Sequence, residues 1–120
     1  MKHKLTLLSC ACLLVGLARV SVWAEPGHDF AKWEKEIAAL EQADKTNPPQ
    51  PGSALFIGSS TIKRWTTLAQ DFPEFKVINH GFGGSQIIDS TYFAERVIFP
   101  CQPRQIFLRA GGNDLNGQIA

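Results

Sequence analysis

Three short apolar runs, each ending in small or glycine-rich residues, occupy the second half of the chain. They are "ALFIGSS" at 54–60, "FKVINHGFGGSQ" at 75–86 and "RQIFLRAGGNDL" at 104–115. Short apolar runs bounded by glycine and polar residues are typical of buried strands, and helix-like stretches at about 61–70 and 85–99 separate them. Strands that alternate with helices predict an α/β fold, in which helices cover the faces of a parallel sheet.

A longer helical pattern precedes the first run, at about 30–45. Asp29 can cap the start of this helix, and the proline-rich segment "TNPPQPGS" ends it, because proline cannot continue a helix. Its apolar residues recur every three or four positions and form one stripe, which we expect to face the core: Phe30, Trp33, Ile37 and Leu40. In the stretch at 85–99 the expected inner face consists of Ile87, Ile88, Tyr92, Phe93 and Val97.

The first 24 residues differ in composition from the rest of the chain. A basic tip precedes the apolar run "LTLLSCACLLVGLA", and no acidic residue is present. This layout predicts a signal peptide at 1–24, cleaved after Ala24, and an exported protein that is periplasmic or extracellular. A membrane anchor would need about 20 continuous apolar residues, and Arg19 interrupts the run before that length. A lipoprotein signal through Cys10 or Cys12 is a weaker alternative, since little apolar sequence precedes either residue.

Charge and cysteine content limit the partners, disulfides and metal sites that the sequence predicts. Of 12 basic and 11 acidic residues, cleavage would remove three basic ones and leave a net charge of −2. This balance gives no support for a nucleic-acid partner. Cys101 would be the remaining cysteine, so we expect no internal disulfide and a buried packing role for it. With only His28 and His80 left, no Cys/His spacing predicts a metal site, and we expect neither metal nor cofactor.

The carboxyl ends of parallel strands meet at one edge of a sheet, where such folds place their ligand sites. That edge would gather the loops "GSST", "GFGGS" and "GGND". Ser60 would begin a helix, where backbone N–H groups stabilise developing negative charge, so it is a candidate nucleophile. Capping of the same helix is an alternative use for Ser59, Ser60 or Thr61.

The second and third loops offer hydrogen-bond donors. "GFGG" can bend with positive φ and expose its N–H groups, and Asn113 can donate its amide N–H to an oxyanion. A tight turn is the alternative explanation for the glycines, and Asn113 also suits a turn. Two nucleotide motifs are excluded, because Gln86 stands where G-x-G-x-x-G requires glycine and no GK[ST] sequence is present.

The three loops together resemble the ordered blocks of the SGNH hydrolases, also called GDSL-like lipases or acylhydrolases. "FIGSS" is similar to the G-D-S block, with Ser59 in place of aspartate; "NHGFGGSQ" is similar to the glycine block and "GGND" to the G-x-N-D block. The resemblance implies a three-layer α/β/α, flavodoxin-like fold. It also implies that Ser60 is the nucleophile and that the N–H groups of Ser60 and Gly84 and the amide of Asn113 hold the oxyanion.

The resemblance runs from about Phe30 to Leu115 and does not include the family's fourth block. That block, D-x-x-H, supplies the general base and the aspartate that orients it, but no histidine follows His80 in this sequence. His80 lies in the glycine block, where the family does not place its base. The resemblance therefore implies that residues 25–120 are the N-terminal part of an esterase domain, truncated after the third strand and inactive as it stands.

The activity that the resemblance implies is hydrolysis of ester bonds, with small acyl groups on a small-molecule or carbohydrate substrate and no cofactor. The Gly-Ser-Ser variant looks most like the secreted bacterial branch, near the platelet-activating-factor acetylhydrolase-like esterases. The alternative is a non-catalytic periplasmic module of the same fold, which would use these loops to bind a carboxylate or a sugar. A structural protein without a site would not explain why three donor-rich loops converge.

Overall fold

The computed structural model describes residues 27–116, so the predicted signal peptide at 1–24 lies outside the described residues. The strands are β1 (Ala54–Gly58), β2 (Val77–Gly81) and β3 (Gln105–Arg109). The α-helices are α1 (Glu34–Thr46), α2 (Ser60–Lys63), α3 (Leu68–Asp71), α4 (Ile87–Tyr92), α5 (Ala94–Val97) and α6 (Gly112–Asn116). Short 3₁₀ turns lie at Ala31–Trp33 and Phe99–Cys101. Within 27–116, no helix has both the length and the apolar character that crossing a bilayer requires.

The three strands form one parallel sheet in the order β2-β1-β3, so the first strand is central. The strands pair without a slip in register, and Gly58 at the end of β1 is level with Gly81 of β2 and Arg109 of β3. All three strands therefore end at the same edge of the sheet, and the loops that follow them start side by side.

Helices cover both faces of this sheet. Successive β1 side chains point to opposite faces, so the central strand contributes to a buried cluster on each side. The larger buried cluster combines α1, α5 and one face of the strands: Trp33, Ile37, Leu55, Ile57, Phe82, Phe93, Val97, Ile98 and Cys101. The smaller cluster lies on the opposite face beneath α2 and α3: Phe56, Ile62 and Leu68. This arrangement confirms the predicted α/β fold with a parallel sheet between helical layers.

The segment predicted as a lead-in helix, 30–45, contains the first 3₁₀ turn and α1. An Asp29 carboxylate oxygen accepts a hydrogen bond from the backbone N–H of Ala31 at 3.0 Å, as expected for a residue that starts a helix. Trp33 and Ile37 are buried, and Phe30 and Leu40 pack against the same cluster. The apolar stripe thus covers one face of the sheet.

Cys101 belongs to the larger cluster and is buried, as the sequence predicted. Burial raises the pKa of its thiol to about 11, and the nearby Asp44 carboxylate contributes to the same shift.

The helix-like stretch at 61–70 is not one helix. The side-chain amide of Asn79 in β2 donates to the carbonyl oxygens of Ile62 and Trp65 at 2.8 and 3.1 Å, and so terminates α2. The carboxylate of Asp71 accepts hydrogen bonds from Trp65 Nε1 and Thr67 Oγ1, which begins α3 as a separate turn. The break between α2 and α3 therefore depends on a contact with the neighbouring strand β2, which the local sequence pattern of 61–70 does not reveal.

The second helix-like stretch, 85–99, is likewise divided into α4, α5 and a 3₁₀ turn. Phe93 and Val97 are fully buried, as predicted for the inner face. The prediction is wrong for Ile87 and Tyr92, which are 45% and 50% exposed. Tyr92 stacks on Phe30 with 3.8 Å between ring centroids, so its ring covers the lead-in segment instead of entering the core.

The outer strand β3 presents an apolar surface. Ile106, Phe107 and Leu108 are each about half exposed, although Phe107 stacks on Phe56 of the central strand at 4.6 Å. Among residues 27–116, β3 pairs with β1 alone. The sheet thus has one strand whose second edge and much of whose face have no cover from the described chain.

Arg96 of α5 joins that helix to α1 through two carboxylates. Its guanidinium donates to both oxygens of Glu41 at 2.9 and 2.8 Å and to both oxygens of Glu34 at 3.0 and 2.8 Å. The hydrogen bond from Arg96 lowers the pKa of Glu41, and the same pairing raises the pKa of Arg96. Planar two-point contacts of this kind fix orientation better than a single ion pair does.

We expect Arg96→Met to lower the free energy of unfolding by about 1 kcal/mol at pH 7, the upper range for partly exposed ion pairs. Because the folded-state pKa of Glu41 is lowered, this stabilisation is present above its ordinary value of 4.5. It is lost as the pH falls through the lowered folded-state value. Urea unfolding at a series of pH values measures the effect.

The matched control is Arg64→Met, since Arg64 is an exposed arginine for which the described residues provide no carboxylate partner. It should change stability by less than about 0.5 kcal/mol at every pH. An Arg96→Met effect that is independent of pH would contradict the assignment to the carboxylate pairs.

Candidate active site

The three candidate loops begin next to one another because their strands end in register. Ser60 follows Gly58 by two positions, Gly84 follows Gly81 by three, and Asn113 follows Arg109 by four. Backbone hydrogen bonds continue the sheet into the loops.

These bonds run on both sides of β1. Phe82 N donates to Gly58 O at 2.9 Å, and Ser59 N donates to Arg109 O at 3.1 Å. The exit of the central strand is therefore held between the exits of its two neighbours.

Gly58 allows the chain to leave the sheet at this crowded point. Its φ is +140°, and a Cβ atom here would overlap the carbonyl group of Arg109. Any side chain would therefore force the ends of β1 and β3 apart. The glycine of the "FIGSS" segment is thus required by packing.

Ser60 is the first residue of α2 and is half-buried. Within residues 27–116 its hydroxyl makes no hydrogen bond, so Oγ is not used as a cap. Ser59 occupies the N-cap position, as the capping alternative allowed, but its side chain makes no cap hydrogen bond. Its backbone carbonyl instead accepts from Ile62 and Lys63 at 3.0 and 3.1 Å. Thr61 is exposed one position into the helix.

The glycine loop contains two neighbouring N–H groups with different surroundings. Gly83 N donates to a carboxylate oxygen of Glu36 at 3.2 Å. Gly84 has φ +76° and is exposed, and its N–H has no acceptor in the part of the chain that the structure describes. Of the two, Gly84 is the one whose donor is available to a ligand.

Asn113 lies at the start of α6 and connects the second and third loops. Its side-chain Nδ2 donates to Ser85 O at 2.9 Å, and Gln86 Nε2 donates to Asn113 O at 3.1 Å. Asp114 adds a third connection by accepting a hydrogen bond from Ile87 N at 3.0 Å. An amide group has two N–H donors, so one remains on Asn113 after the bond to Ser85.

Neither described histidine forms a hydrogen bond with Ser60. His28 Nε2 lies 2.7 Å from Asp89 Oδ1, and Asp89 is fully buried where it also accepts from Gln86 N. His80 lies on the larger core cluster's side of the sheet, with its ring nitrogens facing Val97 O and Asp44. Both ring nitrogens of His80 are therefore engaged by groups other than Ser60.

Sequence reasoning missed the acidic residues that hold these loops. Asp89, Asp114 and Glu36 accept backbone N–H bonds from the glycine loop or from the residues just after it. A capping pattern between Gln86 and Asp89, three residues apart, was a signal that could have revealed one of them. The partners of Glu36 and Asp114 are 47 and 27 residues away, so no local signal existed.

Several grooves of the described chain are lined by residues other than Ser60, Gly84 and Asn113. One of about 400 Å³ is lined by Phe56, Phe72, Phe75 and Phe107 on the α2/α3 face of the sheet. Another of about 340 Å³ lies beside Asp44 at the C-terminal end of α1.

Comparison with known proteins supports the fold and leaves the family open. No protein-family model matches the chain, and no curated protein matches it. A solved structure from Streptococcus pneumonia, provisionally named a platelet activating factor, is similar with a TM-score of 0.51 and 19% identity. The alignment covers 75% of this chain and 42% of that chain, so the chain spans less than half the length of this neighbour. At this identity the likeness supports the fold, and the SGNH resemblance stays a prediction.

We expect Gly58→Ala to lower the free energy of unfolding by about 2–5 kcal/mol. Positive-φ strain contributes about 1–2 kcal/mol and overpacking against Arg109 a further 1–3 kcal/mol. Urea unfolding monitored by circular dichroism measures the loss.

The matched control is Gly52→Ala, because Gly52 also has positive φ, at +80°, but no atom lies within 4 Å of the position that its Cβ would take. Its cost should be about 1–2 kcal/mol from strain alone. Equal costs at the two positions would show that the close approach of Arg109 is unimportant.

For Asn113→Ala we expect the free energy of unfolding to fall by about 1–2 kcal/mol, since the half-buried side chain loses its hydrogen bond to Ser85 O. Asn116→Ala, at an exposed position of the same helix, should cost less than about 0.5 kcal/mol. If the two substitutions are equivalent in urea unfolding, Asn113 does not connect the loops in solution.

Proposed function

We propose that this chain carries the nucleophile and oxyanion-binding part of an exported serine esterase. Ser60 Oγ attacks the carbonyl carbon of an ester, and the alkoxide oxygen of the tetrahedral intermediate accepts hydrogen bonds from Ser60 N, Gly84 N and Asn113 Nδ2. Expulsion of the alcohol leaves an acyl-serine, which water then hydrolyses. The substrates are small acyl esters, on a small molecule or a carbohydrate.

The observation that carries the proposal is the availability of these groups at one sheet edge. Within the described chain, the Ser60 hydroxyl and the Gly84 N–H have no internal partner, and Asn113 keeps one free amide hydrogen. Groups of these types are normally used up by capping or turn contacts. Hydrogen-bond donors that are held in position by the fold stabilise an oxyanion without reorganising.

The start of α2 adds to this environment. Ser60 N is among the first N–H groups of the helix, which have no acceptor inside it. Gly83, whose N–H is occupied by Glu36, is not assigned a role.

A general base is also needed, because a serine hydroxyl is a weak nucleophile at neutral pH. The histidines at 28 and 80 are both bonded to other groups. We assign the base to a D-x-x-H segment encoded downstream of this sequence in the complete protein. The expectation that the chain by itself does not turn over is part of this proposal.

The test is Ser60→Ala in the complete protein, assayed with a short-chain ester such as p-nitrophenyl acetate. The substitution should lower kcat/KM by at least about 10³-fold, as removal of a catalytic serine does in other enzymes. The circular dichroism spectrum and urea midpoint should not change, because the Ser60 hydroxyl supports no internal contact.

Ser59→Ala is the matched control, since it removes a hydroxyl from the adjacent position and should keep most of the activity. Full activity in the Ser60→Ala variant would overturn the proposal.

The second candidate is a non-catalytic module that binds a carboxylate or sugar. The observation that favours it is the lack of any hydrogen bond between Ser60 and a described histidine. A complete protein without D-x-x-H and without esterase activity, but with such binding, would support that candidate.

A further inference from the structure

Three side chains with different donor atoms meet on the side of the sheet remote from Ser60. They are Asp44 from the C-terminal half of α1, His80 from β2 and Cys101 from the second 3₁₀ turn. One carboxylate oxygen, one ring nitrogen and the thiol sulfur all lie within 4.8 Å of one another. His80 and Cys101 are 3% and 1% exposed.

The ring of His80 has a fixed orientation. Its Nδ1 lies 2.6 Å from the carbonyl oxygen of Val97, and a carbonyl can only accept, so Nδ1 carries the hydrogen. In the neutral ring Nε2 then has a lone pair, and it faces Asp44 Oδ1 at 3.1 Å. Two acceptors at this distance repel each other unless a proton or a metal ion lies between them.

The same orientation is the one found in metal-binding histidines. Such residues donate their second ring N–H to a backbone carbonyl or a carboxylate, which directs the other nitrogen at the metal. Val97 O provides this second contact for His80. Val97 O also lies 3.7 Å from Cys101 Sγ, so the histidine and the cysteine are both positioned by one carbonyl group.

The thiol completes a set of nitrogen, oxygen and sulfur donors. Cys101 Sγ lies 3.7 Å from Asp44 Oδ2, and Asp44 Oδ1 lies 3.1 Å from His80 Nε2. Ligands about 2.0–2.3 Å from a tetrahedral ion are separated by roughly 3.3–3.7 Å, so small rearrangements would suffice to bind one. Zinc accepts this mixed donor set, whereas magnesium and calcium prefer oxygen ligands alone.

Charge and access favour the same kind of ion. A divalent cation with one carboxylate, one thiolate and one neutral imidazole forms a site with no net charge, which a buried location tolerates best. Asp44 is 21% exposed and lines the groove of about 340 Å³ beside α1, together with Lys45, Pro48 and Pro100. This groove is open to solvent and reaches the cluster at Asp44.

We propose that Asp44, His80 and Cys101 form a three-ligand binding site for a zinc-class divalent cation. The cation replaces the proton of the Cys101 thiol, which passes to solvent, and no oxidation or reduction takes place. Binding joins the end of α1 to β2 and to the turn that precedes β3. The ion is thus structural, and it is independent of the proposed chemistry at Ser60.

The test is titration of the metal-free 120-residue chain with Co²⁺. Cys10 and Cys12 are replaced by serine in this background protein. Cys101 is then the sole source of thiolate. We expect a sulfur-to-cobalt charge-transfer band in the near ultraviolet together with the intense visible bands of a tetrahedral site. Zn²⁺ should abolish both, and it should raise the thermal midpoint, since it binds the folded state preferentially.

Cys101→Ser should remove the charge-transfer band, and Asp44→Asn and His80→Gln should weaken or abolish Co²⁺ binding. The matched controls Asp29→Asn and His28→Gln alter the same residue types outside the cluster and should keep the band. The proposal would be overturned if the background protein showed no charge-transfer band. It would also be overturned if the band persisted in Cys101→Ser. In either case the Asp44–His80 contact would be held by a proton alone.

Discussion

The in-register ending of three parallel strands is the constraint on which the rest of the molecule depends. Gly58, Gly81 and Arg109 stand level with one another, and the backbone of β1 leaves the sheet between its neighbours. Each candidate site residue lies two to four positions beyond this line. Loops that short cannot carry their residues far from the sheet edge, because an extended residue spans at most about 3.6 Å. The proximity of the three loops therefore follows from strand pairing.

The helix α1 has a larger part in holding this arrangement than a covering helix usually has. Three of its acidic residues reach different parts of the fold: Glu36 contacts Gly83 and Lys63, Glu41 contacts Arg96, and Asp44 contacts His80. The helix is thereby connected to the glycine loop, to α5 and to the C-terminal part of β2. Its apolar stripe supplies burial, and its acids determine how the helix is oriented on the sheet.

Polar contacts between the loops leave specific donors unused. Asn113, Asp114 and Asp89 occupy carbonyl and N–H groups of the segment after the glycines, whereas Gly84 N and Ser60 Oγ keep no partner among residues 27–116. A loop cluster that satisfied every donor would be a stable turn and nothing more. In the function that we propose, these unpaired groups are the ones that bind the developing negative charge.

The sequence predicted the class of fold, because strand and helix periods and glycine-ended apolar runs are local properties. It also determined that Ser60, Gly84 and Asn113 would follow strand ends. It did not predict the breaks within 61–70 and 85–99, since Asn79 ends α2 from a neighbouring strand and Tyr92 turns to stack on Phe30. Nor could it bring Asp44, His80 and Cys101 together, because they lie 36 and 21 residues apart and no spacing rule relates them. Those contacts depend on how α1 and the turn before β3 pack on one face of the sheet, and this packing is set by the folded chain as a whole.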